Sequence, residues 1–205
     1  IPFDDYVAWL GDGTPHRLPA NDRLAYLADP EPMTVRELDG GVLYVRYRNV
    51  VTPSTSLARE LVEAGTVRRL VLDLRQNPGG DNGTYGSLLE LIQDFAEEHP
   101  GELRVLIDRV TFSAASNLAT EIEGRTDAVF IGEPMAGGLN FWDDVTQVRM
   151  DALPVPMQVG VSTRYWEFAE PDDPRLTIEP DVLVEATAED FLAGRDPVLE
   201  AALRD

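Results

Sequence analysis

The chain has 205 residues, 43% of them hydrophobic, so it is long enough to bury a core and too apolar to be disordered as a whole. Its 37 acidic residues exceed 17 basic residues, all of them arginine, and the formal charge of −20 repels nucleic-acid phosphates and anionic membrane surfaces. There is no cysteine, which excludes disulfides, thiol catalysis and thiolate metal sites.

The apolar runs and the charge allow two further inferences. No apolar run approaches the roughly 18 residues that cross a bilayer, so membrane insertion is not expected. We interpret the negative charge as a solubility feature, with attraction of a cationic partner as the alternative.

The first part of the chain, residues 1–38, is rich in proline, aspartate and glycine. This composition predicts an irregular N-terminal lead-in with one short helix around residues 22–28. The remainder, residues 39–205, is predicted to form a single core domain. Its first strand is residues 42–47, where β-branched and aromatic side chains predominate, and a helical pattern follows at residues 55–63.

Strands and helices then alternate. Residues 70–74 form a short continuous apolar run, which is typical of a buried parallel strand. Further strands are predicted at residues 103–107 and 128–131, and further helices at 84–97 and 115–123. This order indicates right-handed β-α-β units around a mostly parallel sheet. After Gly132 the pattern changes to short β segments at 145–150, 155–161 and 181–184, and a last helix begins at Pro197 with Asp196 as its cap.

Ser113 lies between the strand at 103–107 and the helix predicted from residue 115. A serine in this place is either a helix N-cap, which accepts a bond from the backbone, or a nucleophile. The helix dipole would stabilise its alkoxide, and the N–H of Ala114 could bind the oxyanion that forms after attack. The residues alone leave both interpretations open.

A second loop, residues 75–83, contains Pro78 followed by Gly79 and Gly80. A Pro-Gly-Gly tripeptide is an ordinary turn signal. It is also a place where an N–H group can approach a tetrahedral oxyanion without obstruction by a side chain. Because ligands dock at the carboxyl ends of parallel strands, this loop could face Ser113 and supply what acyl transfer requires.

Five ordered segments resemble the tail-specific (carboxy-terminal processing) serine proteases, a family that includes tricorn protease and the retinoid-binding protein of the retina. The matching segments are residues 73–80 (DLRQNPGG), 107–115 (IDRVTFSAA), 131–138 (IGEPMAGG), 178–182 (IEPDV) and 194–197 (GRDP). The resemblance implies an α/β crotonase-like spiral of β-β-α units, as in ClpP and crotonase. It also implies Ser113 as nucleophile, with Gly79 or Gly80 and Ala114 forming the oxyanion hole.

The general base departs from the family's pattern. The processing proteases use a lysine 25 residues after the serine, and position 138 is glycine here. The tricorn-like branch uses an upstream histidine and a downstream glutamate, for which His16 and Glu167 are the candidates. His16 could equally be an exposed loop residue and Glu167 a surface carboxylate, and a base from another part of a longer parent protein is a third possibility.

The resemblance implies a serine peptidase that cleaves a peptide or protein substrate through an acyl-enzyme, without a cofactor, and that acts outside the cytoplasm. The missing lysine leaves two alternatives: an inactive relative that binds a peptide or small apolar ligand in the same groove, or a hydrolase of esters. Asp143 and Asp144 could together bind a cation, but no further ligands stand near them in sequence, and we expect no metal site.

Overall fold

The structure, a computed structural model, describes residues 24–28, 30–151, 155 and 157–204, together with the backbone of residues 8–9 and 15–16. The strands, in chain order, are β1 (Ala8–Trp9), β2 (Pro15–His16), β3 (Met33–Leu38), β4 (Val42–Tyr47), β5 (Arg69–Asp73), β6 (Leu103–Ile107), β7 (Val129–Gly132), β8 (Asn140–Met150), β9 (Met157–Glu167) and β10 (Val182–Leu183). The helices are α1 (Ala25–Ala28), α2 (Ser56–Glu63), α3 (Gly86–Glu98), α4 (Ala114–Arg125), α5 (Ala188–Ala193) and α6 (Pro197–Leu203).

A mixed six-stranded sheet with the order β10-β7-β6-β5-β4-β3 forms the centre of the fold. All neighbours in it are parallel except β3 and β4, which form an antiparallel pair. The mostly parallel sheet predicted from the alternation of strands and helices is thereby confirmed. The prediction of irregular structure as far as residue 38 was wrong for residues 33–38, because Gly40 and Gly41, both at positive φ, turn the chain back so that β3 pairs with β4.

The sheet is covered on both faces, as its continuous apolar strands require. Leu43 and Val45 of β4 belong to the large core cluster under α2, α3 and α4. Val42 and Tyr44, which alternate with them, belong to a second cluster that includes Val198 of α6. Helices on the two faces therefore fix the carboxyl ends of β5 and β6, from which the two predicted site loops emerge.

Strands β8 and β9 pair with each other along their whole length in an antiparallel ribbon that lies outside the main sheet. The sequence predicted two short β segments here, at 145–150 and 155–161, and each observed strand has 11 residues. Within the described part of the chain, none of the helices has the length and apolar character needed to cross a bilayer.

Candidate active site

Ser113 occupies a strained backbone position immediately before α4. Its φ of 55° and ψ of −126° lie in a region that non-glycine residues rarely adopt. Its side chain makes no capping hydrogen bond to the helix that follows. A serine held in this conformation at a strand-to-helix turn presents its hydroxyl away from the helix, as in a nucleophile elbow. The cap interpretation of Ser113 therefore has no support in the geometry.

The Ser113 hydroxyl donates instead to a carboxylate. Its Oγ lies 3.2 Å from Oδ2 of Asp143, which is carried by β8. Both side chains are partly exposed, so the pair is open to a substrate. The same two segments also meet through a pair of aromatic rings, since the ring centres of Phe112 and Phe141 lie 6.2 Å apart. The start of β8 thus runs beside the serine turn with alternate side chains directed towards it.

The glycine loop meets Ser113 from the other side. A Cβ added to Gly79 would lie 2.7 Å from Cβ of Ser113 and 2.9 Å from N of Ala114, so only glycine allows the two loops to approach this closely. Gly80 is equally constrained, since its Cβ would lie 2.0 Å from the carbonyl oxygen of Val50. The sequence predicted that these two loops could face each other, and in the structure they are in contact.

The backbone donors at this junction are not equivalent. The N–H of Gly79 already donates to Oδ1 of Asn77 at 2.9 Å. By contrast, the N–H groups of Gly80 and Ala114 have no hydrogen-bond acceptor among the described residues. The two groups free to bind an oxyanion are therefore those of Gly80 and Ala114.

Asp108, at the end of β6, joins the glycine loop to the serine turn. Its carboxylate accepts the backbone N–H of Gln76 at 3.1 Å and the side-chain amide of Gln76 at 2.6 Å. It also accepts the N–H groups of Val110 and Thr111 at 2.9 and 3.1 Å. One buried carboxylate thus holds Gln76 at its left-handed φ of 58° and fixes the approach to Ser113.

A buried ion cluster supports the start of the same loop. The Arg75 guanidinium donates to Asp73 at 2.9 and 2.6 Å and to Asp196 at 2.8 and 2.9 Å. Burial alone would lower the pKa of Arg75, but these two carboxylates raise it well above its usual value. Asp196 also caps α6 through the N–H of Leu199 at 3.0 Å. The C-terminal helix is therefore tied to the loop that carries the glycines.

The turn after β7 closes the site from a third side. A Cβ on Gly137 would lie 1.8 Å from Oγ of Ser116 in α4, so no side chain fits there. At Gly138, where the processing proteases carry lysine, a Cβ would meet its nearest atom, the carbonyl oxygen of Asn140, at 3.4 Å. Position 138 therefore has room for a side chain, and the absence of lysine is not forced by packing.

A cavity of about 800 Å³ opens next to the glycine loop. Its wall includes Gly80 from the glycine loop and Asp144, the neighbour of Asp143. Aromatic rings of Tyr85, Trp166 and Phe168 line its interior. Burial raises the pKa of Tyr85, whose hydroxyl donates to a carboxylate at 2.7 Å, so this phenol stays neutral. The cavity is large enough for an amino-acid side chain and combines these aromatic surfaces with charged groups, among them Asp81, Glu121 and Arg164.

Glu167, one of the two residues predicted as the base, makes no hydrogen bond to Ser113, whose hydroxyl donates to Asp143. Glu167 is exposed at the end of β9 and lines a different cavity, together with Asp173 and Arg175. The backbone of His16 forms β2, and its side chain lies outside the described residues. The other histidine, His99, ends α3 and stacks on Phe95 with ring centres 4.4 Å apart.

Asp143 is the site residue that the sequence did not identify. It was noticed only as half of an adjacent carboxylate pair and considered as a cation ligand. No group of three or more histidine, aspartate or glutamate side chains among the described residues could hold a metal ion. The signal that could have identified Asp143 is its spacing of two residues from Phe141, which directs both side chains to one face of β8.

Comparison with solved structures gives related folds among peptidases. A candidate peptidase from Parabacteroides merdae matches with a TM-score of 0.57 and 19% identity, over 84% of this chain and 63% of the other. A candidate S41 protease from Bacteroides fragilis matches with a TM-score of 0.51 and 17% identity, over 83% of this chain and 56% of the other. A photosystem II D1 C-terminal processing protease matches with a TM-score of 0.47 and 20% identity, over 78% of this chain and 50% of the other.

The first two of these structures, with TM-scores above 0.5, agree at the level of the fold with the resemblance that the sequence motifs predicted. The chain spans less than two thirds of the length of these three structures. No family model and no curated protein matches the sequence.

Proposed function

We propose that this chain is the catalytic core of a serine peptidase that forms an acyl-enzyme on Ser113. One observation carries the proposal: the Ser113 hydroxyl leaves its helix uncapped and hydrogen-bonds the Asp143 carboxylate at 3.2 Å from a left-handed backbone position. Strain at a single serine, next to unoccupied N–H donors, is typical of a nucleophile and not of a cap. The family resemblance supports a crotonase-like arrangement of the β-α units around this site.

In the proposed reaction, Ser113 Oγ attacks the carbonyl carbon of the scissile bond. The carbonyl oxygen becomes an oxyanion, which accepts hydrogen bonds from the N–H groups of Gly80 and Ala114. The positive end of α4 adds to this stabilisation, since Ala114 is its first residue. Gly79 has a different part: it permits the close approach of the two loops, and its N–H stays with Asn77.

We assign the general base to Asp143, which replaces the lysine of the processing proteases. Its Oδ2 would take the proton from Ser113 Oγ during attack and give it to the leaving amine, and would then activate the water that releases the acyl group. A bound substrate would cover this partly exposed carboxylate and exclude water from it, which strengthens its interaction with the hydroxyl. His16 and Glu167 stay predictions, and Asp143 is preferred because it contacts the nucleophile directly.

The cavity beside Gly80 is the proposed site for a substrate side chain. Gly80 would hold the oxyanion while Trp166 and Phe168, which line the same cavity, would contact the side chain that precedes the scissile bond. These aromatic walls favour apolar or aromatic side chains. The proposed substrate is therefore a peptide or protein segment with such a residue at the cleavage position.

Labelling with a fluorophosphonate probe tests the proposal, because this reagent reports an activated serine without requiring the natural substrate. We expect the folded protein to label on Ser113 and the Ser113→Ala variant to remain unlabelled. Turnover of peptide libraries would then identify a peptidase, and turnover of small esters alone would identify an ester hydrolase. If the folded protein does not label at any pH from about 6 to about 9, the catalytic proposal fails and a peptide- or ligand-binding role is favoured.

A further inference from the structure

The ribbon of β8 and β9 carries an apolar surface that no other described part of the chain covers. Side chains that are directly paired across an antiparallel ribbon lie on the same face. Three such pairs are apolar: Trp142 with Tyr165, Val148 with Val159, and Met150 with Met157. With Val161, they form the surface that we call the ribbon face. The seven side chains are between 38% and 63% exposed, although residues of this kind are normally buried.

The opposite face of the ribbon is mixed and belongs to the active site. It carries the polar pairs Asp143–Arg164 and Gln147–Gly160 together with the aromatic pair Phe141–Trp166 and with Val145. The two faces therefore differ: the mixed face contacts the serine turn through Asp143 and Phe141, and the apolar ribbon face is directed away from it. A two-stranded ribbon is at best marginally stable in water by itself. A partner that covers the exposed ribbon face would therefore stabilise it.

Asp144 shows that the ribbon face is kept free of charge. Strict alternation of side chains would place its carboxylate on the ribbon face, between Trp142 and Thr146, which are two residues away on either side. Its φ of 55° breaks the alternation, and its side chain lies 3.9 Å from Arg164, which belongs to the opposite face. The left-handed backbone of one aspartate therefore removes the single carboxylate that would interrupt the apolar surface between Trp142 and the end of the ribbon.

We propose that the ribbon face is the interface of a homodimer, in which two copies of this chain cover each other's ribbon about a two-fold axis. An antiparallel arrangement would place Trp142 and Tyr165 of one copy against Met150 and Met157 of the other. Aromatic rings and methionine sulfurs make favourable contacts, and an isologous interface uses one surface twice.

The available area fits this occupant. Seven roughly half-exposed apolar side chains offer on the order of 600 Å² per copy, which is at the upper end of the range for the largest apolar patch of a typical monomer. Two copies would bury on the order of 1,200 Å², the lower limit for a specific and stable interface. The area predicts a dimer that forms with moderate affinity and dissociates on dilution.

Charge gives the dimer a distinctive salt dependence. Each chain carries a formal charge of −20, so two copies repel each other, while the ribbon face itself contributes no charge to the contact. Salt screens the repulsion and leaves apolar association intact. Dimerisation should therefore strengthen as salt is added, whereas an interface made of ion pairs would weaken.

Sedimentation velocity of the purified chain tests the proposal, and Val148→Asp with Gln147→Asp forms a matched pair of variants. The two substitutions introduce the same side chain and the same charge at adjacent positions of β8, one on each face. We expect the unsubstituted chain to show a monomer–dimer equilibrium that shifts towards dimer between about 0.05 M and about 0.5 M NaCl. Val148→Asp should raise the dissociation constant by at least about tenfold, and Gln147→Asp by less than about threefold.

Two results would overturn the proposal. One is a monomer at every protein and salt concentration, including the highest that remains soluble; this would also favour a different covering element for the ribbon face. The other is an equal effect of the two variants, which would assign the change to charge and not to the ribbon face. If Val148→Asp does not fold, as judged by circular dichroism, the salt titration of the unsubstituted chain still decides. Because none of these measurements uses catalysis, their outcome is independent of the proposed peptidase activity.

Discussion

The contact between Ser113 and Asp143 makes a sharp prediction about the replacement of one carboxylate by an amide. In Asp143→Asn, the side-chain oxygen can still accept a hydrogen bond from Ser113 and hold it in place. The amide cannot take the proton, because an amide is not basic at neutral pH. The substitution therefore removes proton transfer and leaves the geometry of the nucleophile almost unchanged.

The expected size of the effect follows from the distance. At 3.2 Å, the Asp143 carboxylate is within direct reach of the proton that leaves Ser113 Oγ, so no water has to relay it. Loss of a general base in direct contact lowers the rate by about 10²- to 10⁴-fold, or about 3–5 kcal/mol of transition-state stabilisation. We expect the acylation rate of Asp143→Asn to fall in this range, with little change in thermal stability because the pair is partly exposed.

The rate of labelling by a fluorophosphonate, measured from acid to alkaline pH, is the appropriate assay. Asp151→Asn is the control, since it makes the same chemical change just beyond the far end of β8, in an exposed side chain that pairs with Arg149 at 3.1 Å and not with Ser113. We expect the control to keep its rate within about threefold, because a surface ion pair contributes little. Similar rates for both variants and the unsubstituted chain would refute Asp143 as the base. A large loss in Glu167→Gln instead would move that role to Glu167.

Three further outcomes test the frame around the serine. Gly137→Ala should lower the free energy of unfolding by about 1–3 kcal/mol, because its Cβ would overlap a buried side chain. Gly138→Ala, where there is room, should change it by less than about 0.5 kcal/mol. Equal melting temperatures for the two variants would contradict this packing. Asp196→Ala removes one carboxylate from the buried Arg75 guanidinium and should cost about 3 kcal/mol in urea unfolding, with Asp196→Asn, which keeps the helix cap, costing less. Burial raises the pKa of Tyr47 from 10.0 to about 12, so the folded state keeps a proton that the unfolded state releases. The stability from Tyr47 is thus complete below a pH of about 10 and is lost as the pH rises towards 12. The part of the ultraviolet absorbance change that Tyr47→Phe removes should therefore appear only together with unfolding.

Much of the frame of this site could be predicted from local sequence patterns. The apolar run at residues 70–74 and the helical periodicity at 84–97 each depend on neighbouring residues, and both elements formed within two residues of the expected bounds. Strand β3 was missed because its six residues include Arg36 and Glu37, and such a sequence becomes an edge strand only through its pairing with β4. The full length of the ribbon was missed for the same reason.

The base could not be found in this way, because its identity depends on the register of a ribbon. Asp143 is 30 residues from Ser113 and is one of 37 acidic residues in the chain. Asp143 is distinguished by its position in the strand. Phe141 contacts Phe112, and because side chains alternate along β8, Asp143 and not Trp142 is then directed to the serine. A slip of one residue would reverse every side chain of β8, with the apolar ribbon face towards Ser113 and Asp143 towards solvent. The pairing of β8 with β9 therefore determines both the proposed base and the proposed dimer interface. A change that shifts this register should impair acylation and dimerisation together. Val148→Asp, by contrast, should weaken dimerisation more than it slows acylation.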